Sequence, residues 1–267
     1  LIPRMGGRLV LLRMFRVSQQ RFKWRCYRRA GRFSVVKVNA LDLFGNLFGN
    51  QGGGSKTTEG RTSPRVLTPS ESDFVQPLLQ STFIANREIG VCYQMSVDGD
   101  SASAFHKRCD NAGPTLVAAF TNDRVVGGWF PTEFLSSDDY KESDSDFLFV
   151  AQGNTFARAA DTVAIVEKTG GVGPVFDYAR GGPQWGATPP GLVIGPPLSP
   201  VSGGITGLDA EDTALGTLRT AKSTLGKNGS QYAYTSNNED SLFGDGVREV
   251  QLSDVVVFCA IDLYLLY

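Results

Sequence analysis

The most informative stretch of this chain is Phe105-His106-Lys107-Arg108-Cys109-Asp110-Asn111-Ala112-Gly113-Pro114-Thr115-Leu116. Ser101 precedes it and belongs to the residue types that cap helix N-termini, while Ala104, Phe105 and Cys109 fall on one face of a helix. The residues from 110 to 114 are types that end helices and form turns. The pattern predicts a helix that ends near Cys109 and leads through a turn into an apolar strand.

Two β-rich runs follow that turn, at residues 115–121 and 124–130, with Asn122-Asp123 between them. Polar turn residues between two such runs are typical of a β-hairpin. Gly127 and Gly128 in the second run have no Cβ, so another backbone can approach this strand closely. We therefore expect a hairpin whose second strand is closely approached by another part of the backbone.

Short predicted strands separated by turns continue along the rest of the chain. They are expected at residues 89–97, 146–150, 162–166, 191–194, 247–252 and 255–261, the last two as a C-terminal pair. A helix is predicted to begin near Ser70 to Asp73 and to run through Phe83, with Pro77 in its first turn. Residues 179–246 form a long connection rich in Pro and Gly, which is expected to pack little core and to contain a short helix within residues 213–225. This pattern predicts an antiparallel β sandwich.

The stretch quoted first resembles the hallmark of the TLDc domain family, in which a helix ending in Phe-His-x-x-Cys-Asp-Asn-x-Gly-Pro-Thr-Leu leads into a hairpin. The residues that carry the resemblance are Phe105, His106, Cys109, Asp110, Asn111, Gly113, Pro114 and Thr115, together with Gly127 and Gly128. Further similar segments are Asp146-Phe147-Leu148-Phe149, Ala164-Ile165, Gly173-Pro174-Val175-Phe176 and the closing run at residues 250–258. The resemblance spans residues 73–262.

The resemblance implies an α+β fold that is mainly β, a two-sheet antiparallel β sandwich flanked by helices. It implies no established catalytic centre, so we expect no enzyme activity, no catalytic residue, no metal and no other cofactor. TLDc proteins are associated with protection against oxidative stress, and several bind the vacuolar proton ATPase and regulate its assembly. The chain departs from the family around residues 183–204, where a Pro- and Gly-rich segment replaces a shorter polar one. Surface recognition at that place is expected to differ.

The charge of the chain is distributed unevenly. Positions 1–37 carry 11 Lys or Arg and no acid, which leaves 15 bases against 27 acids in the other 230 residues. An Arg-rich, acid-poor stretch is typical of an organellar import signal, and a solvated tail is the alternative. A retained arm would bind acidic protein surfaces or anionic lipid head groups; its aromatic residues permit nucleic acid as a less favoured partner. The candidate partner-binding residues are Arg21, Arg25, Arg28 and Arg29.

These patterns divide the chain into a basic arm at residues 1–39, a Gly/Pro-rich linker at residues 40–70 and a TLDc-like domain at residues 71–267 with a long insertion at about 179–246. Glycine-rich segments of this kind are flexible. Phe44, Leu47 and Phe48 in the linker form an apolar triplet at helical spacing. The triplet predicts insertion into a groove on another protein or docking onto the chain's own domain.

His106, the one histidine of the chain, lies three residues before Cys109, so both side chains fall on one side of a helix. A zinc site needs about three or four protein ligands, and no further His or Cys lies at ligand spacing. His106 is therefore expected to hydrogen-bond to nearby backbone, and Cys109, on the apolar face, to be buried and not nucleophilic. The chain has four cysteines without a C-x-x-C pair, which indicates reduced thiols.

Three further patterns lack residues that the corresponding site or segment requires. The glycine-rich run at residues 49–57 has Ser55 where a phosphate-binding loop needs Lys. The acidic residues at 138–146 lack the order of a calcium loop, which indicates solvated surface. No apolar run approaches the roughly 18 to 20 residues of a membrane span.

Together the patterns predict a noncatalytic accessory or linker subunit that binds a large membrane-associated protein complex of an organelle through its arm and loops. The expected location is a plastid or mitochondrion, peripheral to that complex, or the cytoplasm if the arm is not an import signal. Two alternatives remain open: a stress-protective TLDc regulator that binds the vacuolar proton ATPase, and a thiol-dependent antioxidant enzyme that uses Cys109.

Overall fold

A computed structural model describes residues 62–169, 173–198, 216–226 and 230–266. The chain divides into two units, Leu1–Thr57 and Thr58–Tyr267, and all described residues belong to the second. Several predicted partner-binding residues lie outside the described ranges: Arg21, Arg25, Arg28, Arg29, Phe44, Leu47 and Phe48. Within the described ranges, every helix is too short or too polar to span a lipid bilayer.

Two antiparallel sheets account for the described strands. The first contains, in spatial order, β1 (Arg65–Val66), β2 (Ile89–Gln94), β13 (Asp254–Ala260), β3 (Thr115–Phe120), β4 (Arg124–Phe130), β6 (Phe147–Gln152) and β7 (Ala164–Val166). The second contains β12 (Glu249–Gln251), β11 (Thr220–Lys222), β10 (Leu192–Ile194), β9 (Pro183–Trp185), β8 (Gly173–Asp177) and β5 (Asp139–Ser143). The predicted mainly β, antiparallel class is confirmed.

The described helices are short, apart from the first. They are α1 (Pro69–Leu79), α2 (Met95–Asp98), α3 (Ala102–Cys109), α4 (Phe156–Ala159) and α5 (Ile261–Tyr264). Helix α3 begins where the sequence predicts, because the side chain of Ser101 accepts a hydrogen bond from the N–H of Ala104 at 3.1 Å. The hairpin β3–β4 is confirmed as well.

The first sheet is buried on both faces. Side chains alternate between the two faces of a strand, and those of β3 enter two separate apolar clusters. Leu116 packs with Phe74 of α1 in the cluster beneath the helices, whereas Val117 packs with Trp185 and Ile194 of the second sheet. The molecule therefore has three layers, helix on sheet on sheet, and this explains why the run Thr-Leu-Val-Ala-Ala-Phe is apolar throughout.

The prediction that Pro77 lies in the first turn of a helix is wrong. Helix α1 begins at Pro69, because Thr68 and Glu71 form a reciprocal cap in which each side chain bonds to the other's backbone N–H. Pro77 is the ninth residue, and the helix ends two residues later, at Leu79. Pro77 has no backbone N–H, so one helical hydrogen bond is missing close to the C-terminal end of α1.

The prediction that residues 179–246 pack little core is also wrong. This segment supplies β9, β10 and β11, and Trp185, Leu192 and Leu218 are fully buried between the sheets. Proline is accommodated at strand starts, as Pro183 is in β9, where no ladder hydrogen bond is lost. The helix predicted within residues 213–225 is not found in their described part, where Thr220–Lys222 is strand β11.

The two C-terminal strands do not pair with each other. β12 lies at the end of the second sheet, whereas β13 lies in the first sheet between β2 and β3. The two strands were expected as a C-terminal pair, but the chain crosses from one sheet to the other between them. The closing strand of the domain is therefore also a central one.

Candidate functional site

The signature stretch folds into a helix end and a turn that hold one polar cluster. Helix α3 ends at Cys109, and the N–H of Asp110 donates to the carbonyl of His106 at 3.0 Å. Asn111 and Gly113 then adopt left-handed backbone with φ of 57° and 73°. Gly tolerates this conformation without a steric cost and Asn tolerates it better than most residues. The turn delivers the chain to Thr115, where β3 begins.

Both ring nitrogens of His106 face hydrogen-bond acceptors. Nδ1 lies 2.7 Å from Oδ1 of Asp110, and Nε2 lies 2.6 Å from the carbonyl oxygen of Tyr178 and 3.0 Å from that of Gly181. A carbonyl can only accept, so Nε2 carries a proton. The side chain is 2% exposed, which means that these bonds form away from solvent.

The environment of His106 favours the charged imidazolium. Burial by itself lowers the pKa of His106, but the hydrogen bond and negative charge of Asp110, followed by the charge of Asp177, more than offset it and raise the pKa above its ordinary value. A protonated ring donates at both nitrogens. His106 therefore pairs with Asp110 at the end of α3, and its Nε2–H connects the helix to the carbonyls of Tyr178 and Gly181 in the loop after β8.

Two further carboxylates complete the cluster. Asp177 is fully buried, and its Oδ2 accepts hydrogen bonds from the N–H of Leu135 at 2.7 Å and from Ser137. Asp138 is buried too, and its Oδ1 accepts from the N–H of Ala179 at 2.8 Å; burial raises its pKa. The prediction that the acids at 138–146 are solvated surface is wrong for Asp138, which caps a backbone group, and for Asp146, which is buried beside Lys168 and Tyr232.

The cluster contains a set of atoms that a cation could approach. Ligand atoms of His106, Asp110 and Asp177 lie within 4.8 Å of one another, and Oδ1 of Asp177 has no hydrogen-bond partner among the described residues. A metal ligand must present a lone pair, however, and both nitrogens of His106 are committed to hydrogen bonds with oxygen atoms. The donor set fits a protonated histidine better than it fits a metal ion.

Three cysteines meet in the core between the two sheets. Cys92 of β2, Cys109 of α3 and Cys259 of β13 are fully buried, and all three belong to one apolar cluster. Burial, followed by interactions with Cys92 and Cys259, raises the pKa of the Cys109 thiol. A thiol is a nucleophile as the thiolate, so these residues are suited to packing. Their distance in sequence concealed that they are neighbours.

The paired glycines of β4 make room for two different neighbours. A Cβ on Gly127 would lie 1.9 Å from the carbonyl oxygen of Val117 on β3, and a Cβ on Gly128 would lie 2.7 Å from Cε2 of Trp185. The close approach that the sequence suggested is thus confirmed. Gly127 accommodates the adjacent strand, and Gly128 accommodates an indole from the opposite sheet.

Two surface depressions of the described residues lie apart from the His106 cluster and from Cys109. One, of about 350 Å³, is lined by Gly113, Pro114, Leu135, Lys141 and Leu263 among others. Another, of about 400 Å³, lies beside the start of α1 and includes Thr68, Glu71 and Asp254. Neither is lined by His106, Asp110 or Cys109. The polar cluster around His106 therefore does not open into either of these two depressions.

The comparison with known families agrees with this architecture. The model of the TLDc domain matches residues 60–173, a span that contains the whole signature stretch, the hairpin β3–β4 and the strands as far as β7. Residues 60–173 therefore match the TLDc domain, the family that the signature stretch resembles. No curated protein sequence matches the chain.

Sequence reasoning found the histidine and aspartate of the cluster but not their distant partners. Asp177, Tyr178 and Gly181 lie about seventy residues farther along the chain, a separation of 75 residues between His106 and Gly181. No local spacing marks them. Asp138 stood in an acidic run, and its burial is set by the fold of the loop that precedes β5.

Proposed function

We propose that this protein is a noncatalytic TLDc protein that acts by binding a large protein assembly of an organelle. The observation that carries the proposal is the state of His106, the side chain best suited to acid–base chemistry. It is buried and bonded at both nitrogens to Asp110 and to backbone carbonyls. The signature residues thus stabilise the domain, and its surface and attached segments remain for recognition.

The uneven charge of the chain supports a role for the arm in that recognition. Residues 1–37 carry 11 bases and no acid, a density that attracts acidic protein surfaces and anionic lipid head groups. In this proposal the arm anchors the protein in a plastid or mitochondrion to a membrane-associated complex. Phe44, Leu47 and Phe48 supply an apolar contact that is independent of charge.

The test is recovery of the tagged full chain from organelle membranes under native conditions. We expect it to co-purify with a large complex, and the joint replacement of Arg21, Arg25, Arg28 and Arg29 by Ala to release it. The same four positions changed to Lys keep the charge and serve as the matched control, which should retain the complex. Recovery of the unaltered chain as a free monomer would contradict the proposal.

The family match favours a second candidate, a stress-protective regulator that binds the vacuolar proton ATPase. This candidate predicts co-purification with the peripheral sector of that enzyme and no effect of the four Arg→Ala changes. A fluorescent fusion, combined with mass spectrometry of the mature N-terminus, separates the two. An organellar signal with the arm retained supports the first candidate, whereas a cytoplasmic or vacuolar-membrane signal supports the second.

A further inference from the structure

Strand β5 is the last strand of the second sheet within the part of the chain that the structure describes. It pairs with β8 on one side, and no described strand lies on the other. Asp139, Tyr140 and Glu142 are exposed. Edge strands present unpaired backbone groups that a further strand can bind, so the free side of β5 is a place where another chain could add to the sheet.

The register identifies which backbone groups face that free side. Antiparallel partners alternate between pairs that exchange two hydrogen bonds and pairs that exchange none. Glu142 lies opposite Pro174. Proline has no N–H, so this pair cannot exchange two hydrogen bonds. Tyr140 lies two residues from Glu142 and therefore belongs to a pair of the same kind. Its N–H donates to the Asp139 carboxylate at 2.7 Å. The N–H and C=O groups of Tyr140 and Glu142 therefore point away from β8.

An aromatic row reaches the surface at the same strand. The ring of Tyr140 packs edge-on against Phe176, with centroids 4.5 Å apart, and Phe176 packs on Tyr178 at 4.2 Å. Tyr140 is 45% exposed. Residues two apart on a strand share a face, so the ring of Tyr140 and the carboxylate of Glu142 are neighbours. A ring beside a carboxylate is a favourable site for a guanidinium or ammonium group.

The charges along the edge have one sign. Asp139, Glu142 and Asp144 are exposed carboxylates. Lys141 turns to the other face, where it bonds to the carbonyl of Glu133 and lies 3.5 Å from Asp177. Lys168, the next nearby base, is mostly buried against Asp146. The exposed charged residues of this edge are therefore acidic and favour a cationic partner.

We propose that the free edge of β5 binds an extended Arg- or Lys-bearing segment of a partner protein by strand addition. Backbone hydrogen bonds to the carbonyl of Tyr140 and to the N–H and C=O of Glu142 provide the register, and a basic side chain of the partner lies over the Tyr140 ring against Glu142. This inference rests on the proposed function and names the partner chemistry for one of its surfaces.

The test uses a fluorescein-labelled ten-residue peptide that alternates Arg and Val, titrated with the full chain and followed by anisotropy. We expect saturable binding that Glu142→Lys weakens at least tenfold. Glu249→Lys, an equal charge reversal on β12 at the opposite end of the same sheet, is the matched control and should change the affinity less than twofold. Equal weakening by both variants would show general charge attraction and overturn the proposal.

A second probe leaves the protein unaltered. The same peptide with N-methyl groups on alternate backbone nitrogens keeps its charge but loses its edge hydrogen bonds. One of the two methylation phases should weaken binding at least tenfold, and equal binding of both methylated peptides would exclude strand addition. If the peptide fails to bind while the full chain still recovers its assembly, this inference falls and the proposed function stands.

Discussion

The indole N–H of Trp185 donates a hydrogen bond to the backbone carbonyl of Trp129 at 2.8 Å. Trp185 belongs to β9 in the second sheet and Trp129 to β4 in the first, and both side chains are fully buried. The bond joins the two layers directly across the core. Gly128 makes it possible, because a side chain there would occupy the position of the indole.

Replacing Trp185 with Phe should lower the free energy of unfolding by about 2 to 4 kcal/mol, since it removes a buried hydrogen bond and leaves a cavity. Urea unfolding of the full chain, followed by the fluorescence of the remaining Trp residues, measures the change. Tyr234→Phe is the control, because Tyr234 is exposed and should change stability by less than about 0.5 kcal/mol. Equal effects of the two changes would show that the interlayer bond is unimportant.

Gly127→Ala should destabilise the domain by about 3 kcal/mol or more, because the added methyl group would collide with the carbonyl of Val117. Gly246→Ala is a useful comparison: its Cβ would meet nothing within 4 Å, but its φ is +74°. That variant should lose about 1 to 2 kcal/mol through backbone strain alone. Thermal unfolding of both variants by circular dichroism gives the ranking, and the reverse order would contradict the assigned clash.

The stability of the domain should decrease as the pH rises above about 6.5, the ordinary pKa of histidine. The pKa of His106 is raised in the folded protein, so the folded state holds this proton where the unfolded chain has lost it. The ion pair contributes fully below that pH and is lost as the pH passes the folded-state pKa. Urea unfolding between pH 6 and 8.5 measures the slope.

The chain has one histidine, so its imidazole signals report on His106 alone. The imidazole C–H signals in NMR should titrate above the ordinary histidine range. Asp110→Asn removes the nearest negative charge and should lower the observed pKa and flatten the slope, whereas Asp245→Asn, at an exposed loop position, should leave both unchanged. A titration midpoint at or below 6.5 in the unaltered protein would refute the buried ion pair.

The three core thiols should resist a thiol reagent in the folded protein. Cys92, Cys109 and Cys259 are fully buried, and the raised pKa of Cys109 disfavours its thiolate. A Cys26→Ser background confines the measurement to these three. We expect no modification by an aromatic disulfide reagent under native conditions and three equivalents in urea.

The same background tests the antioxidant alternative. Cys109→Ser should leave the rate of peroxide consumption unchanged while lowering stability by about 1 to 3 kcal/mol, since it introduces a hydroxyl group into an apolar core. Cys109→Ala keeps the site apolar and should be milder. Rapid modification of one native thiol, or loss of peroxide consumption in both variants, would restore catalysis as an explanation.

The local part of the fold could be read from the sequence. Ser101 and the turn at 110–114 marked the ends of α3, and the run after Thr115 marked a strand, because capping and turn formation depend on neighbouring residues. The position of Pro77 in its helix was predicted wrongly from the same kind of local evidence. Its usual place is the first turn, but the Thr68–Glu71 cap, which is stronger evidence, fixed the start elsewhere.

The long-range part could not be read from the sequence. Which carbonyls accept the His106 proton depends on where the loop after β8 returns, and β12 and β13 lie in different sheets although two residues separate them. Cys92, Cys109 and Cys259 looked scattered because their proximity is a property of the first sheet and the helix beside it. Composition misjudged residues 179–246, whose described part is rich in Pro and Gly and nevertheless contributes the buried strands β9 and β10.

The central position of β13 bears on how the domain is made. Its partners β2 and β3 leave the ribosome long before it, and until residue 254 emerges each has an apolar edge without its neighbour. The first sheet is therefore completed only after nearly the whole domain has been translated. Early termination upstream of that strand should yield an aggregating fragment, not a smaller working domain.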